Sequence, residues 1–472
     1  MKFTALIFVF LIVTSAYSQS ESTRVYASGK DSKMTYKNSD GFNTFNIEVR
    51  GTIEVTDDDR DIKSMSADGY LEITKTTFGS RRTLKISSQG NTIKREYYEG
   101  RTPVSYEPEG RKWLSEILPE VVRTTTVAAE SRVNRFYRKG GVAGVLNEID
   151  ILDGDYMKAH YANLLMKLPV QVKDYSMIVT KVSSELDSDH YLTEFLDNNL
   201  SKFMQSKEAI EAVFVATNKM ESDHYKTQVI KEALRVQPVS IESTKVIMAS
   251  VSRMESDHYK TEVLTSLMRQ PNLTDPVLAE MINTSKTIES DHYRTIVLTK
   301  ALERSLSTSS YQLVVESVKG IESDHYITQV IKSMLDKPID GQVLTSLLSI
   351  TSSIESDHYR TEVLTTLLKK QDLKEENYKK LVEYCNTMDS DHYKSQTLQT
   401  ALSAPQMTDG KLIAVLNAAA QIDSDHYITE VLVDAAPAVK SAGTPVKDAY
   451  RAAARKIDSE TYYGRALRAI EN

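Results

Sequence analysis

The chain has 472 residues, of which 40% are hydrophobic and 26% charged, with a net charge of −7 and a single cysteine. An acidic balance argues against nucleic acid or an anionic membrane as the partner. One cysteine excludes a disulfide framework, so stability has to come from packing.

Residues 1–18 hold a lysine, an apolar run from Phe3 to Val13 and small residues at Ala16 and Ser18. That is the layout of a cleavable secretory signal, with the cut expected before Gln19. A secreted protein is therefore expected, periplasmic or released outside the cell. No later stretch supplies the roughly 18 uninterrupted apolar residues that span a bilayer, so no membrane span is expected in the mature chain.

Residues 19–106 alternate apolar and polar side chains in short runs, Phe45–Val49, Thr52–Val55, Tyr70–Ile73, Arg82–Ile86 and Thr92–Tyr98. Clusters such as Asn38-Ser39-Asp40-Gly41, Ala67-Asp68-Gly69 and Gln89-Gly90-Asn91 separate them. Alternation bounded by such turns predicts a small antiparallel β domain of five or six strands. The run Asp57–Asp59 lacks the spaced oxygen ligands and glycine of a calcium hand and is expected to be a solvated turn. Residues 107–153 read as a helical linker and N-terminal cap: a helix carrying Trp113, Leu114, Ile117 and Leu118 that Pro119 interrupts, a second from Val127 to Tyr137, a break at Gly140-Gly141, and a third over Val142–Ile149.

From residue 154 to 472 one phrase recurs, an acidic residue followed by Ser-Asp-His-Tyr. Its serines are Ser188, Ser222, Ser256, Ser290, Ser323, Ser356, Ser390 and Ser424, with degraded copies at Gly154-Asp155-Tyr156 and Ser459-Glu460-Thr461-Tyr462. A period of 33–35 residues marks an array whose units bury their apolar faces by stacking, with atypical copies at the ends. In the copy starting at Ser256, the serine is placed to cap a helix and Asp257 complements its dipole. Tyr259, Val263, Leu264 and Leu267 share a face, Pro271 stops the helix, and Pro276 opens a second helix with Val277, Leu278, Met281 and Ile282 inward. The fold class expected is mainly α, a solenoid of about ten helical hairpins after the small β domain. It is of a HEAT/TPR-like but atypical kind, since the tetratricopeptide Trp, Leu-Gly and Tyr signature is missing.

At 100° per residue, Asp257 and Thr261 fall off the apolar face and His258 falls nearly opposite it. The repeated pairs are Asp189 and His190, Asp223 and His224, Asp257 and His258, Asp291 and His292, Asp324 and His325, Asp357 and His358, Asp391 and His392, and Asp425 and His426. Two readings stand. The residues form an inter-repeat ladder, each aspartate accepting a hydrogen bond from a neighbouring histidine or tyrosine; or they form a binding edge. A metal-binding edge is the rival within the second reading, although one His per unit, with its Asp adjacent in sequence, leaves too few ligands for zinc. Cys385, at helical spacing from Leu381 and Val382, is expected to be buried. No dinucleotide, phosphate-loop, zinc-peptidase or nucleophile-elbow motif is present, and consecutive Ser-Asp-His at a helix start cannot converge as a triad. No catalytic residue, cofactor or bound metal is expected.

The repeat resembles the extracytoplasmic helical-repeat tails of some bacterial membrane metallopeptidases of the antibiotic-sensor type. The likeness lies in the Ser-Asp start with Val263-Leu264 six and seven residues after Asp257, and in Asp155-Tyr156-Met157-Lys158. Further residues carrying it are Asp61-Ile62-Lys63-Ser64, Gly69-Tyr70-Leu71, Trp113-Leu114 and Leu118-Pro119-Glu120-Val121. The resemblance implies an envelope binding or sensing module and brings no catalytic residue with it. The function expected is that of a non-enzymatic scaffold that binds a protein or an envelope polymer. The alternatives are a metal-binding protein and a regulatory subunit of an envelope protease.

Overall fold

The computed structural model describes residues 24–28, 33–39, 43–90 and 92–471; the expected signal at 1–18 and part of the turn after Ser39 lie outside them. The chain divides into two compact units, residues 1–216 and 217–472.

In the first unit, strands β1 (Arg24–Ser28), β2 (Lys33–Ser39), β3 (Asn43–Arg50), β4 (Ile53–Val55), β5 (Ile62–Met65), β6 (Tyr70–Thr77), β7 (Ser80–Gln89), β8 (Thr92–Glu99) and β9 (Thr102–Val104) follow one another. Seven form an antiparallel sheet in the order β1-β2-β3-β6-β7-β8-β9, and β4 pairs with β5 as a separate hairpin. The described strands number nine rather than five or six. The expectation passed over β1 and β2, and over the short β5 and β9, whose three or four residues are too few to alternate visibly. Register puts one row of side chains on a single face: Tyr36 opposite Ile47, Ile47 opposite Ile73, Ile73 opposite Leu84, and Leu84 opposite Tyr97. That face packs on α1 (Arg111–Thr124) through Trp113, Leu114, Ile117, Leu118, Val121 and Val122. The helix runs unbroken through Pro119, contrary to expectation. Proline forfeits one backbone hydrogen bond, and burial of six apolar side chains on the sheet outweighs that loss.

Helices α2 (Ala129–Ile149), α3 (Asp155–Leu165), α4 (Tyr175–Glu185), α5 (Asp189–Phe203) and α6 (Lys207–Thr217) follow. Inside α2, Gly141 has φ 60°, ψ −149°, a break at the predicted position that only glycine makes cheaply. Arg132 of α2 is fully buried. Its guanidinium bonds Asp59 Oδ2 at 3.0 and 3.2 Å, the Val122 carbonyl at 3.0 Å, the Tyr161 hydroxyl and Glu148. Arg135 donates to Asp59 Oδ1 at 2.7 Å and to the Thr56 carbonyl at 2.7 Å. Asp59 therefore departs from the expected solvated turn. The turn is solvated at Asp57, but Asp59, at φ 58°, is buried as the counter-charge of two arginines.

The second unit stacks helical hairpins. First helices are α7 (Asp223–Val236), α9 (Asp257–Met268), α11 (Asp291–Leu302), α13 (Asp324–Met334), α15 (Asp357–Lys370), α17 (Asp391–Leu402) and α19 (Asp425–Ser441); second helices are α8 (Ile241–Val251), α10 (Asp275–Ser285), α12 (Thr308–Val318), α14 (Gly341–Thr351), α16 (Glu375–Cys385), α18 (Asp409–Ala419) and α20 (Thr444–Ala454); α21 (Glu460–Glu471) ends the row. Each first helix packs on the next first helix, and second helices do the same from α10 to α20. This is an α-solenoid. In the hairpin from Ser256, Val263, Leu264 and Leu267 are buried on α9, and Val277, Leu278, Met281 and Ile282 on α10, as the spacing predicts. Cys385 is fully buried on α16.

Two outcomes follow. Asp59→Ala leaves the buried Arg135 guanidinium without its carboxylate partner and Arg132 with Glu148 alone, and should cost about 3–5 kcal/mol, against at most about 0.5 kcal/mol for Asp57→Ala. Urea unfolding followed by the fluorescence of Trp113, the one tryptophan and a core residue of this unit, measures both. Equal midpoints for the two variants would contradict the assignment. Burial pushes the Cys385 thiol up to about 12, so iodoacetamide at pH 8 should label it only in denaturant; labelling of the native chain would show the site to be open.

Candidate functional site

The repeated phrase divides its residues between two tasks. Each serine starts its helix in extended backbone, and its carbonyl accepts the first helical hydrogen bond, as from Lys260 N to Ser256 O at 3.0 Å. The hydroxyl makes no capping bond in the copies at Ser256, Ser290, Ser323, Ser356, Ser390 and Ser424, which corrects the expected side-chain cap.

Aspartate from the preceding repeat holds the serine instead. Asp223 Oδ2 accepts from the backbone N–H of Glu255 at 2.8 Å and of Ser256 at 3.0 Å. Asp257 does the same for Glu289 and Ser290, Asp291 for Glu322 and Ser323, and Asp357 for Asp389 and Ser390, all between 2.8 and 3.1 Å. Asp324 takes Ser356 N, Asp391 takes Ser424 N, and Asp425 takes Asp458 N and Ser459 N. In the first unit Asp155 takes Ser188 N. The expected partners, histidine or tyrosine, are replaced by main-chain donors just outside the next helix, and a carboxylate accepting two of them makes charge-assisted bonds of the strong class.

The other carboxylate oxygen faces a cation that the sequence reading passed over. Lys226, Lys260, Arg360 and Lys394 sit three residues after their aspartates with N···O separations of 3.3, 3.8, 3.5 and 3.5 Å. Their side chains are almost entirely buried, and two of them end on carbonyls beyond the second helices: Lys260 on Thr287 O at 3.0 Å, Arg360 on Ile354 O and Thr387 O at 3.1 and 2.9 Å. Arg294 makes the equivalent bonds to Ile288 O and Gly320 O. The signal was available, since a Lys or Arg follows the tyrosine in five of the eight full copies, at the i, i+3 spacing that meets the aspartate.

Threonine also turns inward. Thr261 is only 5% exposed, contrary to its expected place on the polar strip, and neither Thr261 nor Thr295 finds a hydrogen-bond partner for its hydroxyl. Tyr259, expected on the core face, is half-buried. The helical wheel failed because the first helices from α9 to α17 each lie between two neighbouring first helices, so residues on both sides of the apolar stripe are covered.

Histidine is left outside. His258, His292, His325, His358, His392 and His426 are exposed. Each ring lies 5.0–5.2 Å from the tyrosine beside it and 5.6–6.0 Å from the tyrosine of the next repeat. His224 begins this row, its Nδ1 3.2 Å from the Tyr259 hydroxyl. An unbroken file of alternating imidazole and phenol rings thus runs from Tyr225 to Tyr462. In the first unit His190 lies 5.1 Å from Tyr191, and Tyr156, at the histidine position of the degraded copy, lies 5.9 Å from Tyr191. Among the described residues no group of three or more His, Cys, Asp or Glu could hold a metal ion, and no helix is long and apolar enough to cross a membrane.

Because the aspartate carries two backbone bonds and the serine hydroxyl none, Asp257→Ala should cost about 1–3 kcal/mol, while Ser290→Ala should cost less than about 0.5 kcal/mol. Thr261→Val, which removes a buried hydroxyl without a partner, should be neutral or stabilising. Urea titration followed by circular dichroism measures all three, and a serine variant as damaging as the aspartate variant would restore side-chain capping.

No family model and no curated protein matches the chain. Solved structures that match include a circular tandem repeat protein with novel repeat topology and enhanced subunit contact surfaces. It is 13% identical, with 77% of this chain and 78% of that chain covered, at a TM-score of 0.15. Another comes from the computational design of self-assembling cyclic protein homooligomers, at 9% identity, 73% and 96% coverage and a TM-score of 0.11. At these scores neither likeness carries an argument about this chain.

Proposed function

We propose that the chain is a non-enzymatic scaffold, secreted or periplasmic, that binds a protein or an envelope polymer along the histidine edge of its solenoid. One observation carries the reading. The aspartate, the tyrosine and the main chain around the serine tie or pack one repeat on the next, whereas the histidine is exposed at each rung, its ring lying beside tyrosines and, at His358, 3.7 Å from Glu362. An exposed ring repeated at one place per repeat contributes little to folding and offers a periodic set of contacts to an extended partner. The resemblance of the repeat to the tails of envelope metallopeptidases supports the same role. The metal-binding and protease-subunit readings have no observation of their own among the described residues.

The test separates folding from recognition. Changing His258, His292 and His325 together to Asn should cost no more than about 0.5 kcal/mol per site, with wild-type dichroism. Partner recovery from the native envelope fraction, with the partner identified by mass spectrometry and its affinity measured with purified material, should fall at least tenfold. A variant that melts far below wild type would return the histidines to the architecture. A variant that binds with unchanged affinity would move recognition off this edge.

A further inference from the structure

The turn between β6 and β7 holds two residues, Phe78 and Gly79, at φ 46° and 82°, closed by the pair Thr77 and Ser80. Positive φ at both centres is the geometry that favours Asn-Gly, and a bulky aromatic at the first of them works against its own backbone preference. Burial does not compensate, because Phe78 is 81% exposed, the most exposed large hydrophobic residue described.

Its surroundings are basic. Arg81 and Arg82 follow the turn, and the neighbouring β8–β9 turn brings Arg101 alongside through the bond from Gly100 N to Arg81 O at 2.8 Å. All three arginines are exposed; Arg82 stands opposite Glu99 across the β7–β8 pair, and none of the three makes an ion pair among the described residues. In a chain of net charge −7 this end of the sheet is a local exception. An aromatic ring on a convex hairpin end, flanked by Arg81 and Arg82 on opposite faces of the sheet and by Arg101 of the neighbouring turn, matches an interface that is apolar just beneath a layer of anions. A concave polymer site would need walls that a two-residue turn does not have. We propose that this end of the sheet docks on an anionic lipid surface, Phe78 entering the headgroup boundary while Arg81, Arg82 and Arg101 meet lipid phosphates.

The test compares full-length chains, so that any contribution of the apolar Met1–Ser18 stretch is common to all. Phe78→Asn installs the residue the turn prefers and should melt at or above the wild-type temperature. Co-sedimentation with vesicles of equal phosphatidylglycerol and phosphatidylcholine should show at least fivefold weaker binding for Phe78→Asn and for the double variant Arg81→Gln with Arg82→Gln. Vesicles of phosphatidylcholine alone should not distinguish the chains. Equal sedimentation of all chains with the anionic vesicles would overturn the proposal. So would loss of binding confined to a single-stranded oligonucleotide measured by anisotropy, which would assign the tip to nucleic acid. If Phe78→Asn melts lower, the arginine pair, on exposed strand positions, still decides the matter.

Discussion

The solenoid depends on a carboxylate that reaches from one repeat into the next. Each phrase aspartate stands in the first turn of its own helix, where negative charge is favoured, and accepts the main-chain N–H groups that lead into the following helix. One side chain therefore complements one helix and positions another. Apolar stacking supplies most of the burial, but it is tolerant of small slides and rotations. A pair of directed bonds at 2.8–3.1 Å sets the register in which stacking takes place. The buried Lys or Arg behind the same carboxylate carries the tie on to the carbonyl ends of the second helix.

Second helices show a looser version of the same device. Asp275 accepts the backbone N–H and the hydroxyl of Ser307 at 3.0 and 2.7 Å, and Glu375 accepts the Thr408 hydroxyl at 2.8 Å. These bonds vary in residue type from repeat to repeat while the first-helix bond does not. The difference accounts for the uneven texture of the sequence, a strict phrase at the start of each unit and a loose apolar pattern in its second half. Strict geometry tolerates one short acid at one place; burial tolerates any side chain of suitable size.

Much of this was legible beforehand. The period, the hairpin, the inward faces of α9 and α10 and the burial of Cys385 are all consequences of spacing, which the sequence displays directly. Three things were not legible, for separate reasons. Asp59 stands in a run of acids that reads as solvent-facing, and its partners Arg132 and Arg135 lie more than 70 residues away. Thr261 was placed outside because a helical wheel knows one core direction and not the two neighbouring helices of a stack. The serine was read as a cap because its local position permits capping, whereas the bond that forms comes from 33 residues earlier. Site residues divided along the same line: the aspartates proved to be ties between repeats, and the histidines, nearly opposite the core, are where the wheel put them.

The most direct measurement is native-state hydrogen exchange at the amides of Glu255 and Ser256, Glu289 and Ser290, and Asp389 and Ser390. These groups precede their helices and donate no helical hydrogen bond, so an ordinary helix entry would leave them open to solvent. If the carboxylate of the preceding repeat sets the register, they should be protected to within about tenfold of amides in the middle of the adjoining helix. Exchange at the rate of exposed loop amides would contradict the account and leave apolar stacking alone to order the repeats.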